Sequence, residues 1–219
     1  MKTLVTVVSA VVCMAAAVHA ASVDDLITQL KDKDPENRRA AAKGLADAGA
    51  DAKPAVAALT KSLKDEDTFV RRFSALALGS IGPDAKEALP SLAAILKSGK
   101  DKKEVQEAAA DALGKFGASS VDALVVVVKD GQRDTEIRQK AIAALGNIGP
   151  DAKSAVPVLI DAIKDNNVRI DAAMALGAIG PAAKDALDPL RDAAGDKKAK
   201  KDKAFKQAVN EAVKKIMAN

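Results

Sequence analysis

Tryptophan and tyrosine are absent from this 219-residue chain, and cysteine and histidine occur once each. Cys13 and His19 both fall within the first 20 residues, so the chain beyond Ala20 has neither thiol nor imidazole. This excludes a thiolate nucleophile, a Ser–His pair and a zinc site of the usual nitrogen and sulfur type in that part. Covalent attachment of a c-type haem is excluded there as well. No glycine-rich loop joins a strand to a helix, so no phosphate cradle is expected. With no thiol to cross-link, the fold must hold by packing alone. Neither catalytic residues, nor a metal site, nor a cofactor is expected.

The N-terminus reads as a leader. Met1 and Lys2 give a positive start, 4–18 is apolar or small, and Val18-His19-Ala20 offers small residues for cleavage. The expectation is a secretory signal peptide at 1–20, cut after Ala20, with 21–219 as the folded part. The apolar run is shorter than the about 20 residues that a membrane span needs, so no membrane insertion is expected after cleavage. Val11-Val12 before Cys13 is the wrong context for lipidation. The expected location is periplasmic or secreted. Without Lys2, Lys+Arg falls from 34 to 33 against 30 Asp+Glu, a net charge of +3. That near-balance gives no reason to expect a nucleic-acid partner.

What the chain does contain is a phrase repeated five times. It reads Leu45-Ala-Asp-Ala-Gly49, Leu78-Gly-Ser-Ile-Gly82, Leu113-Gly-Lys-Phe-Gly117, Leu145-Gly-Asn-Ile-Gly149 and Leu176-Gly-Ala-Ile-Gly180. The closing glycines are 33, 35, 32 and 31 residues apart. A period in this range signals a stacked array of like units. The boundaries fall at about 22–54, 55–87, 88–122, 123–154, 155–187 and 188–219, the last serving as a cap.

Each unit reads as two helices. Helix A carries apolar residues at helical spacing, such as Val56, Leu59 and Leu63, or Val158, Leu159 and Ile163. The run Leu124–Val128 is strand-like in propensity but is assigned to helix from its place in the array. Helix B opens at Asp34, Asp67, Asp134, Asp165 and Asp202, each four residues before Arg38, Arg71, Arg138, Arg169 and Lys206. An aspartate there caps the free amides of the first turn. The third unit departs from this, with Lys102 and Gln106 in those two places. There Asp101 and Glu104 are expected to form a capping box. Gly82, Gly149 and Gly180 are expected to end helix B in a left-handed turn. Pro90 and Pro157 are expected to kink the A helices.

The stretches from Val70-Arg71-Arg72 to Gly82-Pro83, from Ile137-Arg138 to Gly149-Pro150 and from Val168-Arg169 to Gly180-Pro181 resemble HEAT repeats. The resemblance is to the bacterial phycobilisome-lyase type. It implies an all-α, right-handed α-solenoid of about six two-helix units, with the B helices on the concave face. It also implies a ladder between units made by Arg38, Arg71, Arg138 and Arg169 with Asp34, Asp67, Asp134 and Asp165, interrupted at Gln106. A bilin lyase-like or other enzymatic activity is the alternative that the resemblance brings. The absence of His, Cys, Tyr and Trp beyond Ala20 weighs against it.

Counting along each helix B places Arg39, Lys43, Arg72, Leu76, Glu107, Asp111, Gln139, Ala143, Ile170 and Met174 on the outward side. These are the candidate partner-binding residues, with Leu76 and the Ile170/Met174 pair as apolar contacts. Phe69, Phe73, Phe116 and Phe205 are read as core. Asp130, Asp134 and Glu136 lack the spacing of a calcium loop, and the basic run at 197–203 is read as a solvated turn. The function expected is that of an exported, monomeric, non-catalytic scaffold for a protein or peptide.

Overall fold

The computed structural model describes residues 21–196 and 201–218. The leader expectation, with Cys13 and His19, lies outside the described residues, as does 197–200 of the basic run. Of the rest of that run, Lys201 is exposed, Asp202 caps the last helix and Lys203 begins it.

Twelve α-helices form six consecutive pairs among the described residues. They are α1 (Val23–Gln29) with α2 (Pro35–Ala48), α3 (Val56–Ser62) with α4 (Thr68–Ile81), and α5 (Leu89–Ser98) with α6 (Lys103–Lys115). Then come α7 (Val121–Lys129) with α8 (Thr135–Ile148), α9 (Val156–Ala162) with α10 (Arg169–Ile179), and α11 (Leu187–Gly195) with α12 (Lys203–Met217). The odd-numbered helices are the A helices and the even-numbered ones the B helices. The chain is thus an all-α solenoid of stacked helix pairs. The strand-like run at 124–128 lies inside α7.

The core is a column built mainly from leucines of both layers. Leu45, Leu78, Leu113, Leu145 and Leu176 of the B helices are fully buried. So are Leu59, Leu92, Leu124, Leu159 and Leu190 of the A helices. Each contributes about 1.5–3 kcal/mol by leaving water. In the last unit Phe205, Val209 and Ile216 of α12 close the column.

Short 3-10 segments join one unit to the next, at Gly49–Ala55, Gly82–Ala88, Gly149–Ala155 and Gly180–Ala186. Their alanines Ala52, Ala85, Ala152 and Ala183 are fully buried, whereas the flanking Asp51 and Lys53, like Asp84 and Lys86, face solvent. The third unit has a shorter segment, Gly117–Ser120. There the buried Ser120 hydroxyl lies 2.6 Å from the Leu113 carbonyl and 2.8 Å from that of Gly117. A side-chain hydrogen bond thus closes the turn that a longer segment closes elsewhere.

Several local expectations need correction. Gly82, Gly149 and Gly180 have φ of 75°, 71° and 68° but ψ of −142°, −140° and −142°. They lie in the mirror image of the extended region, not in the left-handed helical region. Pro90 and Pro157 are each the second residue of an A helix, where a proline costs no hydrogen bond, so neither kinks a helix interior. Asp165 does not cap α10, which starts at Arg169 behind Val168 with no side-chain cap. Val168 and Arg169 both donate their amides to the Asp165 carbonyl, so the chain makes one more turn before the helix begins. No Asp101–Glu104 capping box forms, because Asp101 is engaged by Arg71 and Lys102 takes the cap position without a side-chain bond. Phe69 is 48% exposed rather than core, while Phe116 and Phe205 are buried.

Candidate functional site

The B helices stack directly on one another, and the glycine that follows the leucine of the repeated phrase is a point of close contact. A Cβ placed on Gly79 would lie 2.9 Å from Ala112 Cα, and one on Gly177 would lie 2.8 Å from Ala212 Cα. Gly114 meets Ala144 and Gly146 meets Ala175 in the same way. These contacts turn the exposed sides of α4, α6, α8, α10 and α12 into one continuous face.

Its N-terminal edge is bound up in charge pairs. Arg38 spans to the next unit and donates to Asp65 at 2.8 Å through both Nε and Nη2. Its Nη1 reaches the Asp32 and Lys33 carbonyls ahead of its own helix. Arg71 does the same with Asp101, at 2.7 Å, and with the Asp65 and Glu66 carbonyls. Arg138 reaches Asp165 and Arg169 reaches Asp202, both at 2.6 Å. The acceptors are therefore Asp65, Asp101, Asp165 and Asp202. Asp34, Asp67 and Asp134 do not accept from these arginines. Asp34 only caps α2, Asp67 takes Arg39, and Asp134 faces Lys103 at 3.8 Å. Asp65, Asp101 and Asp165 sit in the loop ahead of the helix cap, whereas Asp202 is itself the cap of α12.

At the third unit Gln106 is buried and donates to the Asp101 and Gly99 carbonyls. No ion pair to the fourth unit starts from it. Instead Arg133, in the loop before α8, reaches back to the Lys97 carbonyl at 3.2 Å and packs on Gly99. Buried Gln106 Oε1 and Arg133 Nε have no hydrogen-bond partner.

Four of these carboxylates, Asp65, Asp67, Asp165 and Asp202, are held below the usual carboxylate range. Hydrogen bonds from Arg39 bring Asp67 down to about 2 from an ordinary 3.8. Burial pulls Asp65 upward, yet the bonds from Arg38 and the Asp67 amide leave it below its usual value. Asp165 is lowered by Arg138, and Asp202 by the Phe205 amide and then by Arg169.

The outward candidates do not act as one set. Lys43, Asp111, Ala143 and Met174 are exposed, but Arg39, Arg72, Glu107 and Gln139 are half-buried. Leu76 and Ile170 pack against the core, so neither is the free apolar contact that the counting placed there. The close approach of successive B helices covers the first outward position of each turn. Arg39 lies over the Phe69 ring at 5.0 Å and Arg72 over Phe73 at 5.9 Å. Lys140 neutralises Asp111 at 3.2 Å.

Among these candidates only Met174 and Ala143 meet in a hollow. It lies across α8, α10 and α12 and has a volume of about 230 Å³. Gly146, Ala175, Gly177 and Ala212 form its floor, and Asn147, Asp171, Glu211 and Lys215 stand around it. Counting by helix turns missed these last four, because they converge only once three helices are stacked. Among the described residues no group of three or more His, Cys, Asp or Glu is placed to hold a metal. No described helix is long and apolar enough to cross a membrane. Asp130, Asp134 and Glu136 are engaged by Arg133 and Lys103.

Stacked helix pairs joined by buried leucines and a B-helix face define an α-solenoid repeat protein. The model for HEAT repeats matches residues 23–114, 99–163 and 131–209, and the chain belongs to that family. No curated protein matches it in sequence. An engineered protein is similar over 89% of this chain and 96% of its own, at 26% identity and a TM-score of 0.61. A designed armadillo repeat protein in complex with the peptide (KR)4 is similar over 87% of this chain and 99% of its own, at 18% identity and a TM-score of 0.57. The karyopherin Kap121p, bound to the extreme C-terminus of the protein phosphatase Cdc14p, is similar over 87% of this chain and 22% of its own, at 16% identity and a TM-score of 0.64. The last two likenesses concern the fold.

Proposed function

We propose that this HEAT-repeat chain is an exported, non-catalytic scaffold that binds a protein or an extended peptide along its B-helix face. The observation that carries the reading is the hollow across α8, α10 and α12, where Met174 is 60% exposed above a floor of glycine and alanine. An uncovered thioether beside a recess is the kind of surface that a partner covers. The same architecture carries a peptide in the designed armadillo protein and a phosphatase C-terminus in Kap121p. The absence of thiol and imidazole beyond Ala20 supports a binding role over bond-making chemistry, including that of a bilin lyase.

Affinity capture from the exported fraction tests this. A partner retained by the native chain and lost with Met174→Glu is the expected result. Isolation of the chain alone under several growth conditions would overturn it. Export itself is proposed from the leader-like segment at 1–20, and N-terminal sequencing of the exported form should begin at Ala21. The scaffold is taken to be a monomer, which sedimentation checks.

A further inference from the structure

We infer that the hollow across α8, α10 and α12 seats one apolar side chain of an extended peptide whose neighbouring residue is cationic and pairs with Asp171 and Glu211. This rests on the peptide-binding reading above and names the chemistry of its ligand.

Size decides the first half. A volume of about 230 Å³ is below the about 300–1,000 Å³ typical of small-molecule sites. It suits a single leucine- or methionine-sized side chain. The floor is apolar because glycine and alanine bring α8, α10 and α12 together beneath it. Met174 forms a flexible wall that can fold over an inserted group. The other exposed large apolar residues of the described chain differ from it. Phe69 lies under Arg39, Val126 is on an A helix, and Met217 at the end of α12 has Arg191 3.6 Å from its sulfur.

Charge decides the second half. Asp111, Glu136 and Asp67 on the B face each have a cation, supplied by Lys140, Lys103 and Arg39. Among the described residues Asp171 and Glu211 have none. Asp171 accepts only from the Gln139 amide at 3.1 Å, and Glu211 only from the Gln207 amide at 3.2 Å. Lys215 also stands at the hollow, with its stem over Gly177. Two acids against one lysine leave the rim negative. A cation next to the seated side chain completes that balance, whereas an acidic or phosphorylated neighbour meets two carboxylates.

The test probes an array of combinatorial octapeptides with the purified chain, then measures the best binder by fluorescence anisotropy. Selection of an apolar residue adjacent to Arg or Lys is expected. Ala143→Leu, which fills the hollow from an exposed position, should weaken that peptide about tenfold. Asp171→Asn with Glu211→Gln should weaken it about fivefold and erase the preference for a basic neighbour over serine. Raising salt on the native chain should weaken it severalfold without any substitution. Circular dichroism of both variants checks that they fold. Selection of acidic peptides, or binding indifferent to both variants and to salt, overturns this ligand while leaving a B-face partner in place. Selection of no peptide at all overturns both readings.

Discussion

Gly177 of α10 faces the Cα of Ala212 in α12 with room for a hydrogen and for nothing larger, since a Cβ would stand 2.8 Å from that atom. The obstacle is backbone, which cannot swing aside as a long side chain can. Gly177→Ala should therefore push the last two B helices apart and destabilise the chain by ~1–3 kcal/mol, the usual cost of overpacking. Urea unfolding followed by circular dichroism measures it. A midpoint equal to that of the native chain would show that α12 slides freely. Because Gly177 also floors the hollow, the same substitution should weaken any peptide that enters it.

The third and fourth units are joined differently from the others. Arg133 fills from the following loop the place that Arg38 and Arg71 fill from their own helices. Restoring the repeat at that point should therefore do harm. Gln106→Arg puts a second guanidinium beside Gly99, on which that of Arg133 already packs. It should lower the thermal midpoint by about 2–4 °C, as ~1 kcal/mol does in a domain of this size. Gln106→Arg combined with Arg133→Gln should recover most of the loss. If Gln106→Arg alone stabilised the chain, Arg133 would not be the substitute cation.

Much of the architecture was legible because it is periodic. The spacing of Gly49, Gly82, Gly117, Gly149 and Gly180 marks the units, and the apolar pattern of helix A places Leu59, Leu63 and Leu159 in the core. The repeated phrase does more than end helix B. Its first glycine, as in Leu78-Gly79 and Leu176-Gly177, is a helix-to-helix contact, and the recurring Leu-Gly pair was the available signal. The partners of Arg38 and Arg71 were misplaced because loop lengths differ by a residue or two, and a long guanidinium is indifferent to sequence offset. The hollow was beyond a one-helix count. Asp171 and Glu211 lie 40 residues apart and meet only when α10 and α12 are stacked.

Acid should act on this chain through its cross-unit carboxylates. Asp67 is lowered to about 2 from 3.8 by Arg39. A depressed carboxylate contributes stability in full above its unfolded value and loses it as pH falls through the folded one. The contribution of Asp67 is thus intact above about pH 4 and declines toward about pH 2. Asp65 and Asp165 are lowered in the same direction by Arg38 and Arg138. The thermal midpoint should stay nearly level from pH 6 to 8, where no imidazole titrates beyond Ala20, and fall in the acid range. Asp67→Asn should make the fall between about pH 4 and 2 shallower while lowering the plateau. A parallel downward shift at every pH would show that the Arg39 pair does not set this dependence.

Gly82 allows a sharper test of how helix B ends. In the left-handed helical region asparagine is tolerated better than alanine, because its short amide can bond locally. At φ 75° and ψ −142° that advantage disappears, since the conformation is the mirror of an extended strand and favours glycine alone. No atom lies within 4 Å of a Cβ built on Gly82, so crowding plays no part. Gly82→Ala and Gly82→Asn should then destabilise the chain by similar amounts, ~1–3 kcal/mol each. Urea unfolding of the two variants side by side decides it. A clear advantage for asparagine would mean that α4 ends in a left-handed helical turn, as its sequence alone implies. Equal losses would tie the glycine to the sharp reversal that starts the 3-10 segment, on which the stacking of the next unit depends.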